Sequence, residues 1–284
     1  MFDLMPIIQC PYCKTVLDDL HCVNCGRKYF ERKDMTYIYD ENEEHWQTCM
    51  AQKDALFRLE YTDNYKPTHD SIGYPYTGLE HAVLSQQANA AMFNVALSLM
   101  KEQLKNNHGY AVDVGAYNGW ASMQLALRMK TVALDISDHV NLGMGSVPTN
   151  VGCGIKKVIA DMCISPFRDN SLDIVFMCSA WHHLHDRFGG LNESYRVLKP
   201  GGVLVAMGEC PQPEELIESF MNDGIRDYEG PPYTLKQLED MLNESDFDQI
   251  ELVPIKYSDG MEYKPVSEVI GRPATNNIIY GVKT

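Results

Sequence analysis

Nine cysteines, nine histidines and a set of acids that end apolar runs are the side chains of this 284-residue chain with chemistry to offer. Four of the cysteines fall in two pairs, Cys10-Pro11-Tyr12-Cys13 and Cys22-Val23-Asn24-Cys25, with eight residues between them. Each Cys-x2-Cys pair forms a knuckle whose thiolates share one cation, and two knuckles complete a closed tetrahedral cage. The spacing predicts structural zinc. Iron in the same sulfur cage is the rival, because thiolate softness suits both metals, and free buried thiols are the bland alternative. A metal with four protein ligands has no open position, so it would hold structure and take no part in chemistry.

Three histidines, His182, His183 and His185, crowd into four positions after an apolar run. Imidazole titrates near neutrality and can take a proton from an acceptor group, which makes His182 and His183 the candidate catalytic bases. Capping of the loop or packing on Trp181 would explain them equally well, and His185 reads as solvated. The acids are more regular. Asp113 lies near the end of the apolar run 110–115, Asp135 ends 131–135, and Asp161-Met162 follows 156–160. An acid that closes the second strand of such a series can accept both ribose hydroxyls of a nucleoside. Alone, that pattern also fits a dinucleotide site, and each acid has a plainer use as a turn or helix cap.

The elements that must position these groups follow from periodicity. Residues 1–40 hold too little core to fold without a metal, and 27–30 with 35–39 read as two strands, so this segment is expected to be a zinc ribbon. The acidic run Asp40-Glu41-Asn42-Glu43-Glu44 marks the boundary with residues 41–108. They continue through Tyr61, Tyr65, Tyr74 and Tyr76 among Pro67, Gly73, Pro75 and Gly78, a lid facing substrate or a loop packed on the domain. They end in a helix over 79–106. Residues 109–284 then alternate strand and helix: strands at 110–115, 131–135, 156–160, 174–178 and 203–207, and helices over 120–129 and 191–198. Thr234-Leu235-Lys236-Gln237 opens a further helix with a capping-box pattern, and 247–256 with 277–283 can form a closing antiparallel hairpin.

Three stretches carry a family resemblance: Pro166-Phe167-Arg168-Asp169-Asn170-Ser171-Leu172-Asp173, His182-His183-Leu184-His185-Asp186, and Arg196-Val197-Leu198-Lys199-Pro200-Gly201-Gly202. With the acids above, they make the chain resemble the class I S-adenosylmethionine-dependent methyltransferases, of the group that includes the ubiquinone/menaquinone C-methyltransferases. The resemblance covers roughly residues 109–208. It implies an α/β fold, a doubly wound seven-stranded Rossmann-like sheet with a C-terminal antiparallel hairpin, preceded here by the small ribbon.

The same resemblance implies S-adenosylmethionine as cofactor. Gly115 and Gly119 would let the backbone approach its methionine end, Asp113 would orient its ammonium group, and Asp135 would hold the ribose. Asp161 and the amide of Met162 would read the adenine, and Ser179 would begin the loop beside the sulfonium. One departure stands out: the family's turn carries a further glycine where this chain has Tyr117.

Composition narrows the substrate. A net charge of −15 repels phosphate backbones over long range. A ribbon ahead of a methyltransferase is similar to the organisation of a bacterial large-subunit rRNA guanine methyltransferase, and Arg27, Lys28, Arg32 and Lys33 could touch phosphate. Residues 1–40 nevertheless hold five basic and six acidic side chains, and a zinc tetrathiolate adds negative charge. A small-molecule substrate is therefore expected and nucleic acid is disfavoured, with the ribbon as lid, homodimer contact or docking surface for a protein partner. A methyltransferase-like binding protein without catalysis is the other reading. No apolar stretch is long enough to span a bilayer and no secretory signal is visible. With an odd cysteine count that fits a reducing compartment, the expected location is the cytoplasm.

Overall fold

The computed structural model describes residues 2–51, 83–139, 143–209, 211–215, 217, 232–254 and 277–284. The expected lid at Tyr61, Tyr65, Tyr74 and Tyr76, and the start of the 79–106 helix, lie outside the described residues. Nine strands form one sheet: β1 (Phe30–Arg32), β2 (Met35–Tyr37), β3 (Tyr110–Val114), β4 (Lys130–Asp135), β5 (Ile155–Ile159), β6 (Leu172–Cys178), β7 (Leu198–Glu209), β8 (Gln249–Pro254) and β9 (Asn277–Val282). Their spatial order is β1-β2-β5-β4-β3-β6-β7-β9-β8. The β5-β4-β3-β6-β7 centre is parallel, and β9 and β8 close it antiparallel.

The expected seven strands are present, and the ribbon supplies two more. β2 pairs parallel to β5, Met35 to Lys157 and Tyr37 to Ile159, and β1 returns antiparallel on its outer side. A parallel strand left at an edge would expose a row of backbone donors and acceptors. β2 satisfies them and is buried along its whole length, whereas β1 is exposed along its own.

Alternation within the strands sorts the core. Val112 and Val114 face one layer together with Val132, Leu134, Val175, Met177 and Leu204. Ala111, Ile174, Phe176, Val203 and Val205 face the other. This period of two is what a sheet covered on both faces requires. The second layer is filled by α1 (Val83–Leu99) through Met92, Phe93 and Ala96, and by α2 (Trp120–Ala126) through Ala121 and Leu125. The first is filled by α3 (Arg187–Val197), α4 (Leu235–Glu244) and the ribbon, whose Leu4, Ile7, Ile8, Cys10 and Leu17 share one apolar cluster with the strands. Gln9 N donates to Pro166 O at 2.7 Å, and the Arg168 guanidinium donates to the carbonyls of Ile8 and Met5.

Local signals account for most boundaries. Thr234 and Gln237 form the reciprocal capping box at the start of α4. Asp186 caps α3 by accepting from Gly189 N, which starts that helix about a turn earlier than expected. α1 ends at Leu99, and a 3-10 turn over Gln103–Lys105 replaces the rest of the expected helix. α2 ends at Ala126, short of the expected 129. The Lys199-Pro200-Gly201-Gly202 turn is absorbed into β7, because Gly201 N donates to Lys283 O and Lys283 N to Gly202 O. Among the described residues, no helix is long and apolar enough to cross a membrane.

Candidate functional site

Strand order reverses between β3 and β6, where open α/β sheets place their ligand crevice beyond the strand carboxyl ends. Asp113, Gly115, Gly119, Asp135, Asp161, Met162 and Ser179 all sit on the ends of β3 to β6 or on the turns that leave them. Gly115 has φ +67° and its backbone passes so close to the post-β6 loop that an added Cβ would lie 2.6 Å from Ala180 Cβ. Gly119, at φ +75°, caps α2, and a Cβ there would meet Val147 at 2.7 Å. Tyr117 between them also adopts the left-handed conformation, φ +49°. The backbone turn therefore survives the missing glycine, at a cost of about 1 kcal/mol for a residue bearing a Cβ.

Asp135 tightens that turn. Its Oδ2 accepts from Tyr117 N at 2.9 Å and its Oδ1 from Ser137 N at 2.9 Å. These two bonds hold the carboxylate in place at the end of β4. Asp113 is 1% exposed and accepts from the Ser122 hydroxyl of α2 at 2.6 Å. Burial pushes its carboxyl up to about 7, against the pull of the Ser122 hydrogen bonds.

Asp161 is buried, its Oδ1 accepting from Cys163 N at 2.9 Å. Its Oδ2 lies 2.8 Å from His185 Nε2. Burial works against the charged form, but the His185 hydrogen bond and charge outweigh it and hold Asp161 below the usual carboxylate range. The same hydrogen bond raises His185. This corrects the reading of His185 as a solvated residue: its side chain is 19% exposed and tied to the candidate adenine-reading acid. Met162 is buried at the start of a 3-10 turn, Met162–Ile164. Ser179 is exposed at φ +50°, its amide donating to Met207 O at 2.8 Å.

His182 and His183 lie in a 3-10 turn, Trp181–His183, directly beyond β6, with ring centroids 4.2 Å apart. Trp181 is fully buried and meets Tyr233 edge-on. His182 Nδ1 lies 3.1 Å from Glu209 Oε2, and the Tyr233 hydroxyl donates to that same oxygen at 2.9 Å. Glu209 ends β7 and has no exposure to solvent. Sequence reading passed over Glu209 and Tyr233, although an acid shortly beyond the expected strand 203–207 is akin to the signal that singled out Asp161 after 156–160.

At the ribbon, the Sγ atoms of Cys10, Cys13, Cys22 and Cys25 all lie within 4.8 Å of one another. Cys10 and Cys25 are 3.7 Å apart, and Cys13 and Cys22 are 3.3 Å apart. Four thiolates about 2.3 Å from one zinc ion would stand about 3.8 Å apart, so the cage fits the ion with small adjustments. The Tyr29 hydroxyl at 3.1 Å from Cys10 Sγ and the Thr15 hydroxyl at 3.5 Å from Cys13 Sγ surround it.

This sheet order, with its carboxylates at the switch point, is similar to that of the class I S-adenosylmethionine-dependent methyltransferase domains. Residues 112–206 match the family model described as a methyltransferase domain. The malonyl-[acyl-carrier protein] O-methyltransferase 1 of Coxiella burnetii is 32% identical over 139 residues, 48% of this chain and 46% of the relative. The ubiquinone/menaquinone biosynthesis C-methyltransferase UbiE of Rickettsia typhi is 27% identical over 42% of this chain and 51% of its own length. The chain thus spans about half the length of these relatives. Among solved folds, phosphoethanolamine N-methyltransferase 2 of Haemonchus contortus, in complex with S-adenosyl-L-methionine, superposes with a TM-score of 0.55 at 20% identity, covering 82% of this chain and 60% of that one. Geranyl diphosphate C-methyltransferase of Streptomyces coelicolor gives 0.56 at 12% identity, covering 87% and 100%.

Proposed function

We propose that this protein transfers a methyl group from S-adenosylmethionine to a small-molecule metabolite or biosynthetic intermediate. The observation that carries the reading is that Asp113, Asp135 and Asp161 lie at or just beyond the carboxyl ends of the adjacent parallel strands β3, β4 and β5, around the left-handed turn at Gly115. Bound there, the cofactor would supply a methyl group on a sulfonium, already activated for displacement by its charge. The protein's part is alignment: Asp135 holds the ribose, Asp161 and the Met162 amide hold the adenine, and Asp113 orients the ammonium group while Gly115 and Gly119 allow close approach. Positioning of this kind can account for several kcal/mol of barrier reduction. Ser179 lies beside the reacting centre, and His182 or His183 takes a proton where the acceptor must lose one.

Residues 109–284 form the catalytic unit in this reading, 41–108 the connection, and 1–40 a zinc-held brace. The ribbon's arginines speak against an rRNA substrate. Arg27 is bound to Asp40 and Glu43, and Arg32 to Asp138 at 2.7 Å, so two of the four cations that could touch phosphate are neutralised within the fold. The unpaired cysteine spacing outside the ribbon supports a reducing, cytoplasmic setting. Titration calorimetry with S-adenosylmethionine and S-adenosylhomocysteine tests the assignment. Micromolar binding of both, weakened at least tenfold by Asp135→Ala, is expected. Absence of binding, or tight retention in the variant, overturns it.

A further inference from the structure

Beyond the cofactor crevice, the ends of β6 and β7 carry a second set of polar groups. β7 pairs with β9 through a register shift between Met207 and Glu209. Gly208, at φ +82°, lies in that irregularity, where an added Cβ would sit 2.4 Å from Ser179 Oγ. Irregularities of this kind re-aim the side chain that follows. Here the one that follows is Glu209, a carboxylate with no solvent exposure whose Oε2 accepts from Tyr233 and lies 3.1 Å from His182 Nδ1. Its Oε1 is buried without a hydrogen-bond partner among the described residues. Burying an acid in this state is costly, and a group kept at that cost belongs more often to a site than to a core. The His182 backbone is fixed independently, its carbonyl accepting from the Arg187 guanidinium at 2.9 Å.

We propose that Glu209 is the positioning residue of a carboxylate–imidazole pair, holding the proton of His182 on Nδ1 so that Nε2 carries the lone pair. The inference rests on the methyltransferase reading and narrows it: the acceptor's reacting atom bears a proton, as in a hydroxyl, a phenol or an acidic carbon. His182 Nε2 takes that proton as the acceptor's oxygen or carbon forms its bond to the methyl carbon. The methyl–sulfur bond breaks with its electron pair left on sulfur. The imidazolium so formed is stabilised by Glu209 and returns the proton to solvent. A tertiary amine or thioether acceptor would have no use for the pair.

Among the described residues, the ionisable groups around His182 are Glu209, Tyr233 ahead of α4, Arg187 at the start of α3, and His183 beside it. Among the described residues Glu209 is the carboxylate within hydrogen-bond reach of the ring, and Tyr233 draws on the same oxygen. The test is nitrogen-15 NMR of the full-length, cofactor-free protein labelled at histidine, with the His182 signals assigned from a His182→Gln sample. Wild type is expected to show the Nδ1-protonated tautomer. Glu209→Gln should lower the His182 titration midpoint by about one pH unit. Tyr233→Phe, which leaves Oε2 to the imidazole alone, should raise it, and decides the matter if the glutamine variant does not fold. An Nε2-protonated tautomer in wild type, or a midpoint that does not move in the deciding variant, overturns the proposal. Because no cofactor is present, failure of donor binding bears on the methyltransferase reading, and a static midpoint bears on Glu209.

Discussion

The Tyr37 hydroxyl of the ribbon donates to Asp138 at 3.0 Å, three residues beyond the acid assigned to the ribose. Arg32 donates to the same carboxylate, and Ser137 N binds back to Asp135. The hairpin after the cysteine cage is thereby joined to the loop that follows β4.

Ordering of that loop should depend on the metal. For a zinc ion held in the proposed four-cysteine cage, removal with a chelator, or replacement of Cys10 by Ser, is expected to loosen β1 and β2 and weaken S-adenosylhomocysteine binding about tenfold. Asp138→Asn should weaken it by a smaller factor without changing metal content. Calorimetry beside metal analysis checks both; unchanged affinity in the metal-free protein would show the two sites to be independent.

Asp113 makes stability depend on pH. Its folded value of about 7 lies above the unfolded value near 3.9, so the folded chain holds more protons between these limits. Stability should fall as pH rises from about 4 to about 7 and then level. Asp113→Asn should flatten that part of the profile, raising the melting temperature more at pH 8 than at pH 5. Parallel slopes for wild type and variant would contradict the assignment.

The same group predicts a proton released on cofactor binding. An arriving ammonium favours the charged carboxylate, so a group neutral in the free protein below pH 7 becomes ionised in the complex. Near pH 6 the binding enthalpy should vary with the ionisation enthalpy of the buffer, and the dependence should vanish in Asp113→Asn. A buffer-independent enthalpy for wild type would separate Asp113 from the ammonium group.

The Asp161–His185 pair acts over a different window. His185 is raised, so its contribution is complete below the unfolded value near 6.5 and is lost as pH rises through the folded one. Asp161 is lowered, so its contribution is complete above about 3.9 and is lost as pH falls. The difference in melting temperature between wild type and His185→Ala should be largest near pH 5–6 and shrink toward pH 8. A difference that grows with pH would reverse the sign of the pairing.

Much of this architecture was legible in residue order, and the exceptions have physical causes. Continuous apolar runs with acids at their ends revealed the central strands, because a parallel sheet buried on both faces must be apolar until it reaches the ligand side. The Thr234–Gln237 box was local and therefore visible. The partnership of β2 with β5 was not: it joins segments more than a hundred residues apart, and nothing in Met35-Thr36-Tyr37 names its neighbour. His185 was misjudged for the same reason, since a histidine's surroundings depend on which distant carboxylate meets it. Glu209 was passed over because its meaning comes from the His182 turn and Tyr233, which converge on it only in three dimensions.

The short outer strand β1 has one more consequence. A sheet that has already accepted a foreign hairpin at one margin could go on accepting strands from other molecules. Here the addition stops after three residues, with Glu31 and Arg32 exposed and Lys33 turning the chain at φ +59°. Charge and brevity of this kind discourage edge-to-edge growth. The cysteine-bearing module thus covers the margin of β5 and ends the sheet on a short, charged strand that offers little length for a further partner.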